Sequence, residues 1–390
     1  MKRILPVIVC SQFFCTSLWF AGNAVLADLS VTFHLNASFI AALTSAVQFG
    51  FITGTLIFAL LAIADRFSPT KVFFCCAWIA AAFNIGIVIY PGHSFSLLLF
   101  RFLTGFFLAG IYPVGMKIAA DHFKEGLGKS LGLLVGALVL GTAFPHLLRS
   151  TTLSLPWKYI FIGTSALAIA GGSAMLLLVP DGPHRRQGQR FKLSAIGSVF
   201  REPGFRSAAL GYFGHMWELY AFWAFVPVML QTYANLHPAL SIPVSLLSFL
   251  VIGIGSIACA VAGYFSTVVG TKKLARICLT ISGTCCLLSP WLLQSSFFIF
   301  TLGFMLIWAL TVIADSPLFS TLVAQQAPPA IKGSALTMVT CIGFAITIIS
   351  IQLLTRIVTT THSPFSYWLL APGPIFGVLA LLKKQGTTFQ

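Results

Sequence analysis

The chain has 390 residues, of which 58% are hydrophobic and only 8% are charged. Soluble domains contain about 25% charged residues, so this composition indicates an integral membrane protein. The formal net charge is +15, but the basic residues lie in short gaps between apolar runs. That distribution is typical of topology determinants and argues against a nucleic-acid-binding surface.

Twelve apolar segments are long enough to cross a bilayer, which takes about 20 residues of helix. The first could pass for a signal peptide, but because eleven more follow we interpret it as an uncleaved helix. The predicted spans, numbered 1 to 12, are residues 4–27, 38–64, 71–91, 95–119, 129–148, 157–180, 207–233, 241–268, 273–293, 296–325, 333–358 and 364–382.

Positive charge is concentrated in one set of the gaps between spans. An even number of spans places both termini on one side, and the positive-inside rule makes that side cytoplasmic, as in a bacterial inner membrane. Little basic charge lies opposite: Arg149, Lys158 and Arg356. The basic residues of the terminal side are Arg66, Lys71, Lys124, Lys129, Arg185, Arg186, Arg190, Lys192, Arg201, Arg206, Lys272, Lys273, Arg276, Lys332, Lys383 and Lys384.

The longest polar stretch divides the chain into two similar parts. We predict a first six-helix bundle over residues 1–180, a cytoplasmic linker over 181–206 and a second bundle over 207–390. A shift of 204 residues superposes Pro113 on Pro317 and Ser130 on Ser334. Repeats of six spans in parallel are the building plan of one large group of transporters.

This arrangement resembles the major facilitator superfamily over the whole chain. The loop between spans 2 and 3 keeps Asp65 and Arg66 of the family's Gly-x-x-x-Asp-Arg-x-Gly-Arg-Arg signature, although both glycine positions differ. Span 4 keeps the family's arginine and glycine as Arg101 and Gly105. The resemblance implies an all-α membrane protein of twelve helices in two pseudo-symmetric halves. It also implies that Asp65 and Arg66 form a gating loop and that spans 1, 4, 7 and 10 line a central cavity.

Ionisable residues inside the spans fall on this cavity-lining set. His215 and Glu218 are three residues apart and share a face of span 7. Glu218 lies twelve residues beyond Arg206, about 18 Å into the membrane. A carboxylate at this depth is costly and is by default a functional residue. Burial favours its neutral form, which suits a proton carrier. The alternative for both residues is a structural hydrogen bond between helices.

Two further ionisable residues are candidates for proton coupling. Asp315 on span 10 precedes Pro317, which frees the carbonyl group of Ile313. It is predicted as a second proton site or a gate contact, with an untitrated salt bridge as the alternative. Arg101 could stabilise a deprotonated acid or attract an anion; otherwise it is a snorkelling anchor. The predicted proton-coupling residues are therefore Glu218, His215, Asp315 and Arg101.

Aromatic and amide side chains on the same spans could contact a substrate. For the amides, a hydrogen bond between helices is an equally good interpretation. The nine cysteines lack zinc-ligand spacing and are interpreted as small buried hydrophobes, so no metal or cofactor is expected. The predicted substrate contacts are Asn23, Trp19, Tyr112, Trp217, Tyr220 and Trp308.

These features predict a secondary active transporter that moves a small organic solute by alternating access, coupled to protons. No P-loop, His-Glu-x-x-His or Gly-x-Ser-x-Gly motif occurs, so neither ATP hydrolysis nor an enzyme is indicated. Export of a neutral, zwitterionic or amphipathic solute is favoured over import. The alternatives are a proton symporter that imports a small solute or anion, and a sensor or scaffold that transports nothing. The expected partners are the solute, protons and the bilayer, and the chain is expected to be a monomer.

Overall fold

The computed structural model describes residues 3–35, 37–90, 94–123, 127–151, 155–185, 196–328 and 331–382, and no strand occurs in these ranges. Several basic residues used above to orient the chain lie outside them, and for Lys129 only the backbone is described. Those outside are Lys124, Arg186, Arg190, Lys192, Lys383 and Lys384.

Twelve membrane-crossing units follow one another and confirm the predicted fold class. Ten are helical segments long and apolar enough to cross a membrane; the other two are span 1, which is made of short apolar helices, and span 7. The units are Ile4–Thr16 with Leu26–Phe33, Ala37–Leu60, Pro69–Ile89, Ser94–Leu108 with Tyr112–His122, Leu127–Thr151, Lys158–Leu178, Pro203–Leu236, Val244–Gly253 with Gly255–Val269, Thr271–Leu292, Phe298–Gln326, Lys332–Thr361, and Pro364–Leu370 with Pro372–Leu382.

Spans 1, 4 and 8, which the sequence predicts as uninterrupted runs, contain breaks, and span 12 begins as a 3-10 helix. Span 1 leaves the α-helix after Thr16 and resumes through a short 3-10 turn, Asn23–Val25. Span 4 restarts at Tyr112, where Pro113 occupies the first turn of the new helix and needs no hydrogen-bond acceptor. Span 8 breaks between two glycines. Hydropathy does not detect such breaks, because the interrupted residues are as apolar as their neighbours.

The signature glycine of span 4 marks a close crossing with span 2. A Cβ atom at Gly105 would lie 1.9 Å from the carbonyl oxygen of Val47, and one at Gly50 would lie 1.9 Å from that of Phe102. The two backbones therefore touch directly, as small residues allow in membrane helices. This crossing fixes where the rest of span 4, including Arg101, stands relative to span 2.

The two halves meet along spans 2 and 11 and along spans 5 and 8. Near the middle of spans 2 and 11, the Thr347 hydroxyl donates to the Gln48 side chain. About one helical turn nearer the side opposite the termini, the Gln352 amide donates to Ser45 Oγ at 2.9 Å. Towards the terminal side, spans 2, 4 and 11 enclose a cavity of about 190 Å³ lined by Thr55, Pro113 and other residues. The halves are thus joined by side-chain contacts around the middle of the membrane and leave a cavity between them towards the terminal side.

Candidate functional site

Glu218 is fully buried and is held by three hydrogen-bond donors. The Ser282 hydroxyl donates to its carboxylate at 2.8 Å, the Trp308 indole N–H at 2.6 Å and the Cys286 thiol at 3.2 Å. Two of these donors lie on span 9 and one on span 10, so Glu218 faces the interior of the second half. These three donors offset part of the cost that burial imposes on a charged carboxylate.

His215 and Asp315 form a contact of a different kind. Nδ1 of His215 lies 2.8 Å from Oδ1 of Asp315, and both side chains are fully buried. The contact joins spans 7 and 10, although its geometry is not that of a well-aligned hydrogen bond. Within the described ranges, neither His215 Nε2 nor Asp315 Oδ2 has a hydrogen-bond partner. A proton can therefore enter or leave this pair without disrupting another side-chain contact.

The backbone beside Asp315 is adapted to Pro317. Pro317 cannot donate to the carbonyl oxygen of Ile313, and the Cys259 thiol of span 8 takes that place at 3.5 Å. Gly255 lets span 8 come close, since a Cβ atom there would lie 2.2 Å from a methyl carbon of Ile313. The interpretation of the cysteines as small buried hydrophobes was therefore incomplete, because the thiols of Cys259 and Cys286 both donate hydrogen bonds.

Arg101 points at the break in span 1. Its guanidinium donates to two carbonyl oxygens, that of Leu18 at 3.1 Å and that of Trp19. It also donates to the Asn84 side chain at 3.2 Å. It is buried and makes no ion pair with any carboxylate of the described ranges. Carbonyl groups freed inside a membrane need a partner, and Arg101 supplies one. Its contacts make it a positioning residue for span 1.

We expect Arg101→Lys to lower the free energy of unfolding by about 3 kcal/mol, because one ammonium group cannot reach acceptors on two spans and leaves a buried acceptor unpaired. Thermal unfolding in detergent measures the change. Arg149→Lys is the matched control, since Arg149 lies near a membrane end and pairs with the partly exposed Asp28 at 3.0 Å. Equal destabilisation by both substitutions would contradict the positioning role.

The predicted substrate contacts are distributed over different parts of the molecule. Trp308 is the partner of Glu218, whereas Trp217 donates to the carbonyl oxygen of Leu369 and faces span 12. Asn23 donates to Thr44 of span 2 at 3.0 Å, which is the interhelical hydrogen bond left open as its alternative. Tyr112 stands half-buried at the restart of span 4. Trp19 and Tyr220 contact each other across the two halves, with ring centroids 5.9 Å apart.

These two residues belong to a group of rings that we call the central aromatic cluster. Three of its rings come from each half, and all six are at least 97% buried. The Trp19 ring centroid lies 5.9 Å from that of Tyr220 and 5.6 Å from that of Phe344. The cluster therefore closes the space between spans 1 and 7. Its members are Trp19, Phe20, Phe51, Tyr220, Trp223 and Phe344.

The predicted gating loop takes part in an ionic network of the first half. Asp65 pairs with Lys117 at 2.9 Å, and Lys117 lies 3.8 Å from Asp121 on the same helix. Arg185, beyond span 6, donates to the carbonyl oxygen of Phe67 at 2.8 Å. The loop is thus tied to span 4 and to the start of the linker. Arg66 is exposed and forms no ion pair in the described part of the chain.

Comparison with known proteins establishes the family. The sequence matches the profile of the Major Facilitator Superfamily over residues 8–351. The chain belongs to this superfamily. No curated protein matches it in sequence. Membership makes the chain a multi-pass membrane transporter rather than an enzyme, in agreement with the sequence analysis.

Two solved structures are similar to this transporter in fold. The nucleoside transporter NupG has a TM-score of 0.73 at 15% identity, covering 97% of this chain and 98% of its own. The proton:xylose symporter XylE, bound to 6-bromo-6-deoxy-D-glucose, has a TM-score of 0.74 at 14% identity, with coverages of 98% and 95%. At this identity the likeness shows the fold alone, so the residues of this chain must support any statement about its solute.

Proposed function

We propose that this transporter moves a small organic solute by alternating access and couples that movement to protons. The buried His215–Asp315 pair carries the proposal. It joins two spans of the cavity-lining set, and each partner keeps one atom without a hydrogen bond. An isolated charge at membrane depth is costly. A change in hydration during the transport cycle would therefore load or release a proton at this pair.

Glu218 contributes to the same site as a fixed charge. Its three donors can hold a carboxylate, and it stands one helical turn from His215. A negative charge at this distance attracts a proton to the pair. In this proposal His215 and Asp315 exchange the proton, while Glu218 sets the local potential and Arg101 positions span 1.

The solute is proposed to be non-anionic. Arg101 is the deep cation that an anionic solute would need, and its guanidinium is already engaged by Leu18, Trp19 and Asn84. The alternative of an imported anion thereby loses its main support. We propose a neutral, zwitterionic or amphipathic solute, with export in exchange for protons favoured over import.

The closed and open ends of the molecule fit alternating access. The contacts Thr347–Gln48 and Gln352–Ser45 join the halves from the middle of the membrane towards the side opposite the termini, and the cavity lies near the terminal end. The positive-inside pattern makes the terminal end cytoplasmic. We propose a conformer that faces the cytoplasm, in a monomer within a bacterial inner membrane.

Proteoliposomes containing a pH-sensitive dye test this function directly. Pools of neutral, cationic, zwitterionic and anionic solutes are added with and without an imposed pH gradient. The proposal predicts a solute-dependent proton flux, and its direction separates antiport from symport. A solute flux without proton movement would refute the coupling. Binding of a solute that never crosses the bilayer would favour the sensor or scaffold alternative.

Glu218→Gln is expected to slow coupled transport about tenfold without abolishing it. The amide oxygen can still accept from Trp308 and Cys286, and the amide nitrogen can donate to Ser282 Oγ, so the protein should fold. Because the substitution removes a charge that attracts the proton, activity should shift to lower pH. Complete loss of proton flux in the folded variant would instead place the proton on Glu218, as the sequence alone suggested.

A further inference from the structure

Two tryptophans of the central aromatic cluster occupy equivalent places in the two halves. Trp19 and Trp223 are separated by 204 residues, the same shift that superposes Pro113 on Pro317. Each is 1% exposed, and each indole N–H lacks a hydrogen-bond partner within the described ranges. Tyr220 lies between them, with ring centroids 5.9 Å from Trp19 and 4.9 Å from Trp223.

A third unpartnered donor lies at the edge of the same cluster. The Gln48 side-chain oxygen accepts the Thr347 hydroxyl, while its side-chain nitrogen is fully buried and has no partner in the described ranges. Gln48 is one helical turn from Phe51, whose ring centroid lies 4.8 Å from that of Trp19. Three buried N–H groups without acceptors thus border one set of rings. Unmade hydrogen bonds of this kind are costly, and native proteins seldom leave them without a reason.

From this arrangement we infer that the central aromatic cluster, when the halves separate, binds a neutral planar ring compound through its carbonyl oxygens. Indole nitrogen is only a donor, and so is the free amide nitrogen of Gln48. A ligand that fits them must bring acceptors. The ring faces of Trp19, Tyr220 and Phe344 favour a flat partner that can stack. This inference rests on the proposed transport function and narrows its solute class.

Charge at the cluster supports a neutral ligand. Its six members include no acid, lysine, arginine or histidine. The nearby charges already have partners: Glu218 has three donors, and Arg101 holds the Trp19 carbonyl oxygen. A charged ligand would enter this space without a counter-charge, and that is costly in an apolar surrounding. A non-planar polyol lacks the flat face that stacks on these rings.

The test measures binding and uptake with defined probes. Purified full-length protein is titrated with uracil, caffeine and coumarin, all neutral planar carbonyl compounds. Orotate adds a carboxylate to the uracil ring, and D-xylose is a non-planar polyol. The readouts are the ligand-induced shift in unfolding temperature and tracer uptake into proteoliposomes. At least one planar carbonyl compound should bind more tightly than orotate and D-xylose.

Removal of the donors then tests the contacts. Trp19→Phe and Trp223→Phe keep a stacking ring but lose the N–H, so each should raise the dissociation constant about tenfold, or about 1.4 kcal/mol. Trp217→Phe is the matched control, because the Trp217 indole N–H already donates to the carbonyl oxygen of Leu369. This substitution should leave the dissociation constant unchanged. If a tryptophan variant fails to fold, Gln48→Met removes the third donor and should weaken binding in the same way.

Each outcome supports or overturns the inference separately from the proposed function. Tight binding of a planar carbonyl compound that depends on the three donors supports it, even if no proton moves. Preference for orotate or D-xylose overturns it, even if the preferred solute is transported with protons. Undiminished affinity in the folded donor variants, or no binding by any planar carbonyl probe, also overturns it.

Discussion

Asp315→Asn should abolish proton-driven accumulation of the solute while leaving its passive exchange between compartments nearly intact. The substitution keeps the shape of the side chain but removes the group that gains and loses a proton beside His215. Without this group, the transporter no longer carries a proton in one half of the transport cycle and returns without it in the other. We expect at least a 100-fold loss of uphill transport, equivalent to about 2.8 kcal/mol of coupling.

Asp28→Asn is the matched control for this prediction. Asp28 is also an acid that forms an ion pair, but its partner is Arg149 and it lies near the end of span 1 opposite the termini. Both variants are compared in counterflow, which needs no proton gradient, and in pH-driven uptake. We expect Asp315→Asn to keep counterflow and lose pH-driven uptake, whereas Asp28→Asn should keep both. Full uphill transport by that variant would remove Asp315 from the coupling site.

Gly105→Ala should reduce the free energy of unfolding by about 3 kcal/mol or more, or prevent accumulation of folded protein. The new methyl group would stand 1.9 Å from the carbonyl oxygen of Val47, and because that atom is backbone it cannot rotate away. Spans 2 and 4 would have to separate, which also loosens the reciprocal contact at Gly50. Thermal unfolding and the yield of monodisperse protein measure the effect.

Gly303→Ala controls for the general effect of alanine in a helix. Gly303 lies on span 10, and a Cβ atom there would meet no atom within 4 Å. Alanine at this position should leave the protein as stable as the wild type or slightly more so. A similar loss in both variants would show that the crossing of spans 2 and 4 is not the cause.

The sequence was sufficient for the fold, and it singled out the buried acids of the candidate site. The apolar runs and the basic gaps predicted twelve spans, and the rarity of acids in a membrane singled out Glu218 and Asp315. Pro317 correctly indicated a freed carbonyl group at Ile313, because the chemistry of proline acts locally. Each of these inferences depends on properties that one residue or one span carries by itself.

The pairing of side chains could not be predicted in the same way. Sequence spacing places His215 and Glu218 on one face of span 7, yet His215 contacts span 10 and Glu218 contacts spans 9 and 10. Ser282 and Cys286 bind Glu218, and Asn84 binds Arg101. Residues of these types are common inside membrane helices, and nothing in the local sequence distinguishes these three. Which helix faces meet is decided by packing between spans, as at Gly105.

The break in span 1 has a consequence for how the protein is made. Its two α-helices have 13 and 8 residues, and neither alone matches the thickness of a bilayer. The carbonyl groups of Leu18 and Trp19 find their partner 82 to 83 residues later, on span 4. Before Arg101 enters the membrane these carbonyl groups lack that partner, so we expect span 1 to insert as a continuous helix. The broken form that carries Trp19 into the centre is therefore a product of assembly, reached only after four spans have inserted.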